Sequence, residues 1–173
     1  ILAPNTLPGQ TFTLTVSHKG TLRNSNQDYG LAVSGIGGPA YCAVAPSSPS
    51  TDFKSFSLGA VKDSTGLNPV FTAELGANVP VNFSFAGGSA KKIRLYADWN
   101  QDGDFIDANE TYLIGTITNS TGLDALSAIG NISVPITANV GKTRMRVVYQ
   151  FNSDPTNPCR TGVGNGQVED YIV

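Results

Sequence analysis

The chain has 173 residues, enough for one well-buried domain, and its 40% apolar content argues against wholesale disorder. Only 14% of residues are charged, the net charge is −2 and the basic residues are scattered singly, so no basic face suits a phosphate backbone and nucleic acid is a poor partner class. No apolar run approaches the roughly 18 residues of a membrane-spanning helix, so no membrane span is expected. The sequence begins at Ile1 without a methionine or a leader, and it reads as a mature piece of something longer.

In chain order, Phe12, Leu14 and Val16 alternate with threonines, and Arg23-Asn24-Ser25-Asn26 marks a turn. Tyr29, Leu31 and Val33 then alternate again, so residues 1–36 predict a β-hairpin. The single histidine, His18, falls where the first strand enters its turn. One histidine and two distant cysteines do not make a zinc site, and a Ser-His-Asp arrangement would have to draw on that turn residue. Composition breaks at Gly35-Ile36-Gly37-Gly38-Pro39-Ala40, which sets 37–40 as a linker and 41–173 as a second unit. An isolated hairpin is marginal in water, so 1–36 either joins the following sheet or is the tail of a preceding domain.

Beyond the linker the period is two almost throughout: Phe56/Leu58, Val81/Phe83/Phe85, Ile93/Leu95/Ala97, Tyr112-Leu113-Ile114, Ile132/Val134/Ile136, Met145/Val147/Tyr149/Phe151 and Val168/Ile172. Each run is short and bounded by Gly, Asn, Pro or Ser. Only Asp124 to Ile129, fenced by Gly122 and Gly130, could hold a helical turn. The fold class is therefore all-β, an antiparallel β-sandwich. The pattern Gly162, Gly164, Gly166 lacks the lysine and following helix of a phosphate cradle and predicts a flexible loop.

Cys42 and Cys159 allow one intramolecular pairing. A secreted chain would oxidise it, and low charge with asparagine-rich loops suits that setting; two buried thiols in a cytosolic protein are the alternative.

The densest chemistry lies in Asp98-Trp99-Asn100-Gln101-Asp102-Gly103-Asp104-Phe105-Ile106-Asp107-Ala108-Asn109-Glu110, which holds five of the chain's 13 acids. Such crowding is repulsive unless a cation neutralises it, and oxygen ligands at alternate positions suit Ca2+. Asp98, Asn100, Asp102, Asp104 and Glu110 form the expected ligand set, with Asp107 a possible extra ligand and Gly103 allowing the turn. An EF-hand would carry its bidentate glutamate at Asn109, and strands rather than helices flank this loop. A solvated acidic turn and a pair of glycosidase carboxylates are the alternatives, although the latter must face one another across a cleft.

Two resemblances follow. The text Gly9-Gln10-Thr11-Phe12-Thr13-Leu14-Thr15-Val16-Ser17-His18-Lys19-Gly20, with Gln27-Asp28-Tyr29-Gly30-Leu31-Ala32-Val33-Ser34-Gly35, resembles the last hairpin of a β-domain beside the catalytic part of some secreted Bacteroidetes peptidases. From Tyr41-Cys42 onward, Ile93 to Phe105, Glu110, Gly141-Lys142-Thr143-Arg144-Met145-Arg146, Cys159 and the closing Gly166-Gln167-Val168-Glu169-Asp170-Tyr171 resemble the GEVED domain over about 41–173. Gln167 stands where that family usually has glutamate. The resemblance implies a non-catalytic module of a large secreted or surface bacterial protein, often a peptidase or adhesin.

In the terminal motif Val168, Asp170 and Ile172 share one strand face and Glu169, Tyr171 and Val173 the other. If Val168 and Ile172 face the core, Asp170 goes with them and needs a cationic partner: Arg144, Arg146 or the calcium loop. Asp170 and Glu169 are therefore candidate structural residues, with an edge strand facing water as the alternative. The absence of a nucleophile motif or phosphate loop predicts no catalysis by this chain. The expected role is a structural spacer holding neighbouring domains of the parent chain. Alternatives are a calcium-dependent module recognising glycan or peptide, with Tyr96, Trp99 and Phe105 as contacts unless they are core, and a fragment of a secreted peptidase whose catalytic domain lies upstream.

Overall fold

The computed structural model describes residues 41–45, 48–49, 52–64, 69–159, 161 and 164–173. The expected hairpin 1–36, with His18, and the linker 37–40 lie outside the described residues. Among the described residues ten strands follow in order: β1 (Ser48–Pro49), β2 (Phe53–Leu58), β3 (Val61–Asp63), β4 (Asn78–Gly87), β5 (Lys91–Ala97), β6 (Thr111–Ile117), β7 (Ser120–Thr121), β8 (Ala128–Ser133), β9 (Arg144–Phe151) and β10 (Asn165–Ile172). There is no helix among the described residues, hence none long and apolar enough to cross a membrane.

The strands form two sheets in a sandwich-like arrangement, one ordered β1-β10-β9-β5-β6 and the other β3-β2-β4-β7 with β8 also on β4. Every strand pair is antiparallel except β1 with β10. Alternation drives the packing. Phe56 and Leu58, Val81, Phe83 and Phe85 point inward from the second sheet; Ile93, Leu95, Ala97, Met145, Val147 and Tyr149 meet them from the first. Phe56 stacks on Phe83 within the second sheet at 4.6 Å, and aromatic rings bridge the interface where Phe56 lies 5.1 Å from Tyr171 and Phe85 lies edge-on to Tyr149 at 4.5 Å.

Three local expectations are corrected. Residues 124–127 form no helical turn: Asp124 accepts hydrogen bonds from the amides of Thr121 and Leu126, and the chain enters β8 at Ala128. Ile136 is 72% exposed because β8 stops at Ser133, before Pro135. Gly166 belongs to β10 rather than to a flexible loop.

The first sheet is covered on both faces. Its outer side carries a smaller cluster of Tyr96, Phe105 and Val148, joined by Tyr41 and Val168. Tyr96 donates to the Pro155 carbonyl, and Arg94 grips Asp154 through Nε and Nη2, both at 2.6 Å. Cys42 and Cys159 are joined in a disulfide, with Cα atoms 5.2 Å apart and a sequence separation of 117. This bond ties together the two segments that cover the outer face.

Candidate metal centre and the arginine clamp

The acidic loop leaves β5 at Ala97 and returns into β6 at Thr111. Positive φ at Gln101, Gly103 and Asn109 bends it tightly, and only Gly103 carries no steric cost there. Its side chains bond its own backbone. Asp98, fully buried, accepts from the amides of Asp102 at 3.2 Å and Gly103 at 3.0 Å and from the Tyr41 hydroxyl at 2.6 Å. Glu110, 1% exposed, accepts from the amides of Trp99 at 2.8 Å, Asn100 at 3.4 Å and Asp107 at 3.4 Å. Asp98 and Glu110 are thus the braced base of the loop. Burial pushes the Glu110 carboxyl up to about 7 against the pull of those amides, and the Asp98 charge adds to the rise.

At the exposed side, carboxylate oxygens of Asp102, Asp104 and Asp107 lie within 4.8 Å of one another. The Asn100 amide nitrogen sits between two of them, donating to Asp102 at 2.9 Å and Asp107 at 2.8 Å, and its oxygen accepts from the Asp102 amide at 3.2 Å. Among the described residues none of these three acids is in an ion pair with Lys or Arg. Three oxygen donors gathered without a protein cation suit a hard divalent ion, and the amide of Asn100, rotated, adds a fourth oxygen.

A neighbouring loop buttresses the site. Asn139 donates through its backbone to the Trp99 carbonyl at 2.8 Å and through its side chain to the Asn100 carbonyl, while Gln101 returns a bond to the Asn139 carbonyl. Thr143 donates its hydroxyl to the Asp98 carbonyl. Sequence reasoning gave Asn139 and Thr143 no role. Thr143 lay within the Gly141–Arg146 motif, whereas nothing local marked Asn139.

Beside the loop stands a clamp. Arg146, 3% exposed, holds Asp170 through Nε to Oδ1 at 2.7 Å and Nη2 to Oδ2 at 2.9 Å. Its remaining nitrogen donates to the Cys42 carbonyl at 3.0 Å and the Pro158 carbonyl at 2.8 Å. Arg144 adds a 3.2 Å bond to Asp170. Both arginines also stack on the aromatics that flank the loop: Arg144 over Tyr41 at 4.3 Å and Arg146 over Phe105 at 5.2 Å. Tyr41 stacks on Phe105 at 5.2 Å, so an unbroken line of contacts runs from Asp170 to Asp98.

The terminal strand differs from expectation in which face meets the main core. Tyr171 is the core residue, whereas Val168 packs in the outer cluster and Ile172 is 38% exposed. Asp170 reaches its arginines on that outer side. Glu169 is half-buried and accepts from the Gln167 amide. Gly166 is dictated by space: a Cβ there would lie 2.2 Å from the Tyr149 carbonyl oxygen.

Residues 92–173 match the family model of the GEVED domain. This part of the chain is similar to the GEVED domain. The match covers just under half of the chain and takes in the acidic loop, both arginines and the terminal motif. No curated protein and no solved structure matches the chain. The GEVED domain is a small accessory domain, compatible with a non-enzymatic module.

Tyr96 and Trp99 are 0% and 6% exposed, so neither presents a ring to a ligand. Trp99 instead donates its indole N–H to the Tyr112 hydroxyl at 2.9 Å, and Phe105 is 1% exposed inside the outer cluster. The packing alternative accounts for all three.

Proposed function

We propose that the chain is a calcium-stabilised, non-catalytic accessory module of a secreted or surface multidomain bacterial protein of the peptidase or adhesin type, in which it acts as a structural spacer. The observation that carries this reading is the convergence of Asp102, Asp104 and Asp107 at the open side of a loop whose base is braced by Asp98 and Glu110. In this reading those three acids and Asn100 hold the ion. Asp98 and Glu110 fix the loop and each keeps acceptor capacity beyond its three donated bonds. A bound divalent cation would relieve the mutual repulsion of the acids, and the clamp would carry that rigidity to the terminal strand. A module so braced suits transmission of a fixed geometry between neighbouring domains. The disulfide supports an extracellular setting, where thiols oxidise and stability must come without chaperones.

Thermal unfolding tests the reading. A metal bound only by the folded state stabilises by about 2.7 kcal/mol at a hundredfold excess over its dissociation constant. Chelator should lower the melting temperature of the native protein and leave that of Asp102→Ala unchanged, and peptidase and glycosidase panels should stay blank. Equal melting with calcium and with chelator would contradict the calcium role, and turnover lost on Asp98→Ala would contradict the non-catalytic one.

A further inference from the structure

Among the described residues, no other sheet packs on the outer face of the second sheet, and that face forms a groove of about 670 Å3, within the size range of small-ligand sites. Its floor follows from strand alternation: with Phe56, Phe83 and Phe85 inward, Ser55 pairs with Ser84 and Ser57 with Asn82 on the outside. Lys62 stands opposite Ser57 on β3, and Lys54 flanks the other end beside Gly122. The result is a ladder of hydroxyls and an amide between two ammonium groups.

One wall is built rigidly. Ser84 donates to the Gly122 carbonyl at 3.3 Å. Asp124 is held by the Ser120 hydroxyl at 2.7 Å and by the amides of Thr121 at 2.7 Å and Leu126 at 3.2 Å. The Thr121 hydroxyl oxygen accepts from Leu123 and Asp124. This wall displays Leu123 at 97% exposure and Leu126 at 51%. Among the described residues Asp124 is the one acid lining the groove, and its carboxylate is taken up by these bonds. Lys54 and Lys62 are in no ion pair among the described residues, so the groove is net positive within a chain of net charge −2.

We propose that this groove binds an acidic oligosaccharide of the uronic-acid class. Carboxylates would meet Lys54 and Lys62, sugar hydroxyls would exchange hydrogen bonds with the serines and Asn82, and ring C–H faces would rest against the two leucines. A peptide fits less well. The floor is the face of a sheet whose backbone is already paired between β2 and β4, so it offers no edge for strand addition. The site is separate from the acidic loop, which lies on the other sheet, and it does not rest on the calcium reading.

Titration of the 15N-labelled protein at low ionic strength with tetragalacturonate tests the proposal, with maltotetraose and tetraglutamate as comparators. Saturable shifts confined to β2, β4 and residues 122–127 are expected, weakened at least tenfold by Lys54→Ala with Lys62→Ala at an unchanged melting temperature, and weakened by added salt. Absence of shifts, shifts mapping elsewhere, equal binding of the neutral sugar, or an unaffected double variant would overturn it. Equal or tighter binding of tetraglutamate would assign the groove to peptides and also overturn it.

Discussion

The Arg146 guanidinium holds Asp170 by two parallel N–H bonds, and its third nitrogen donates to the carbonyls of Cys42 and Pro158, at the two ends of the disulfide-linked cover. One buried cation thereby joins the terminal strand, the N-terminal segment and the C-terminal loop. Such bidentate pairing is directional and charge-assisted, and it suits arginine rather than lysine. Its position against Phe105 sets the acidic loop directly over this junction.

Asp170→Asn keeps the shape and removes the charge facing a guanidinium that is 3% exposed. The expected loss is about 1–3 kcal/mol in urea unfolding, because Arg146 remains buried without its counter-ion. An unchanged midpoint would contradict the clamp.

Gly166→Ala places a methyl group 2.2 Å from the Tyr149 carbonyl oxygen, backbone that is fixed in the β9–β10 ladder. The variant should lose at least about 2 kcal/mol or fail to fold. A melting temperature within one degree of the native protein's, or so, would show that the strand yields there.

Much of this arrangement is legible in the sequence, and the parts that are not share a cause. Inward positions of β2 and β4 follow from alternation because one face meets the core and the other is more open. On β9 both faces are buried from Met145 to Tyr149, and on β10 the Val168 face is covered by a second cluster, so period two no longer tells inside from outside. The cover that does this comes from residues 41–45 and 152–159, distant in sequence and devoid of regular pattern. Phe71 likewise reaches the core from outside any strand, placed by its amide bond to Ile172. The acidic loop declares itself through density of carboxylates, but its division into a braced base and an open tip depends on backbone bonds that composition does not encode.

The family match begins at residue 92, whereas the core needs Phe56, Leu58, Val81, Phe83 and Phe85 from before it. A fragment of residues 92–173 would expose the inner faces of β5 and β9 and lose the Cys42 partner of Cys159. Its amide spectrum should be poorly dispersed, and that of 41–173 well dispersed. A folded 92–173 fragment would show that β2 to β4 are an accessory layer.

Arg94 holds the Asp154 carboxyl below its ordinary range. The ionised form favours the fold, so this contribution is present above the ordinary aspartate pKa of about 3.9 and is lost as pH falls below it. At partial exposure it amounts to about 1 kcal/mol. Asp154→Asn should lower stability by that amount at pH 7 and by nothing near pH 2. A difference of equal size at both would assign the effect to packing.

Calorimetric titration of the metal-free protein with calcium tests the central claim most directly. The account predicts one ion bound per chain, with binding abolished by Asp102→Asn combined with Asp104→Asn while the fold persists. No heat of binding, or undiminished binding in that double variant, would contradict it.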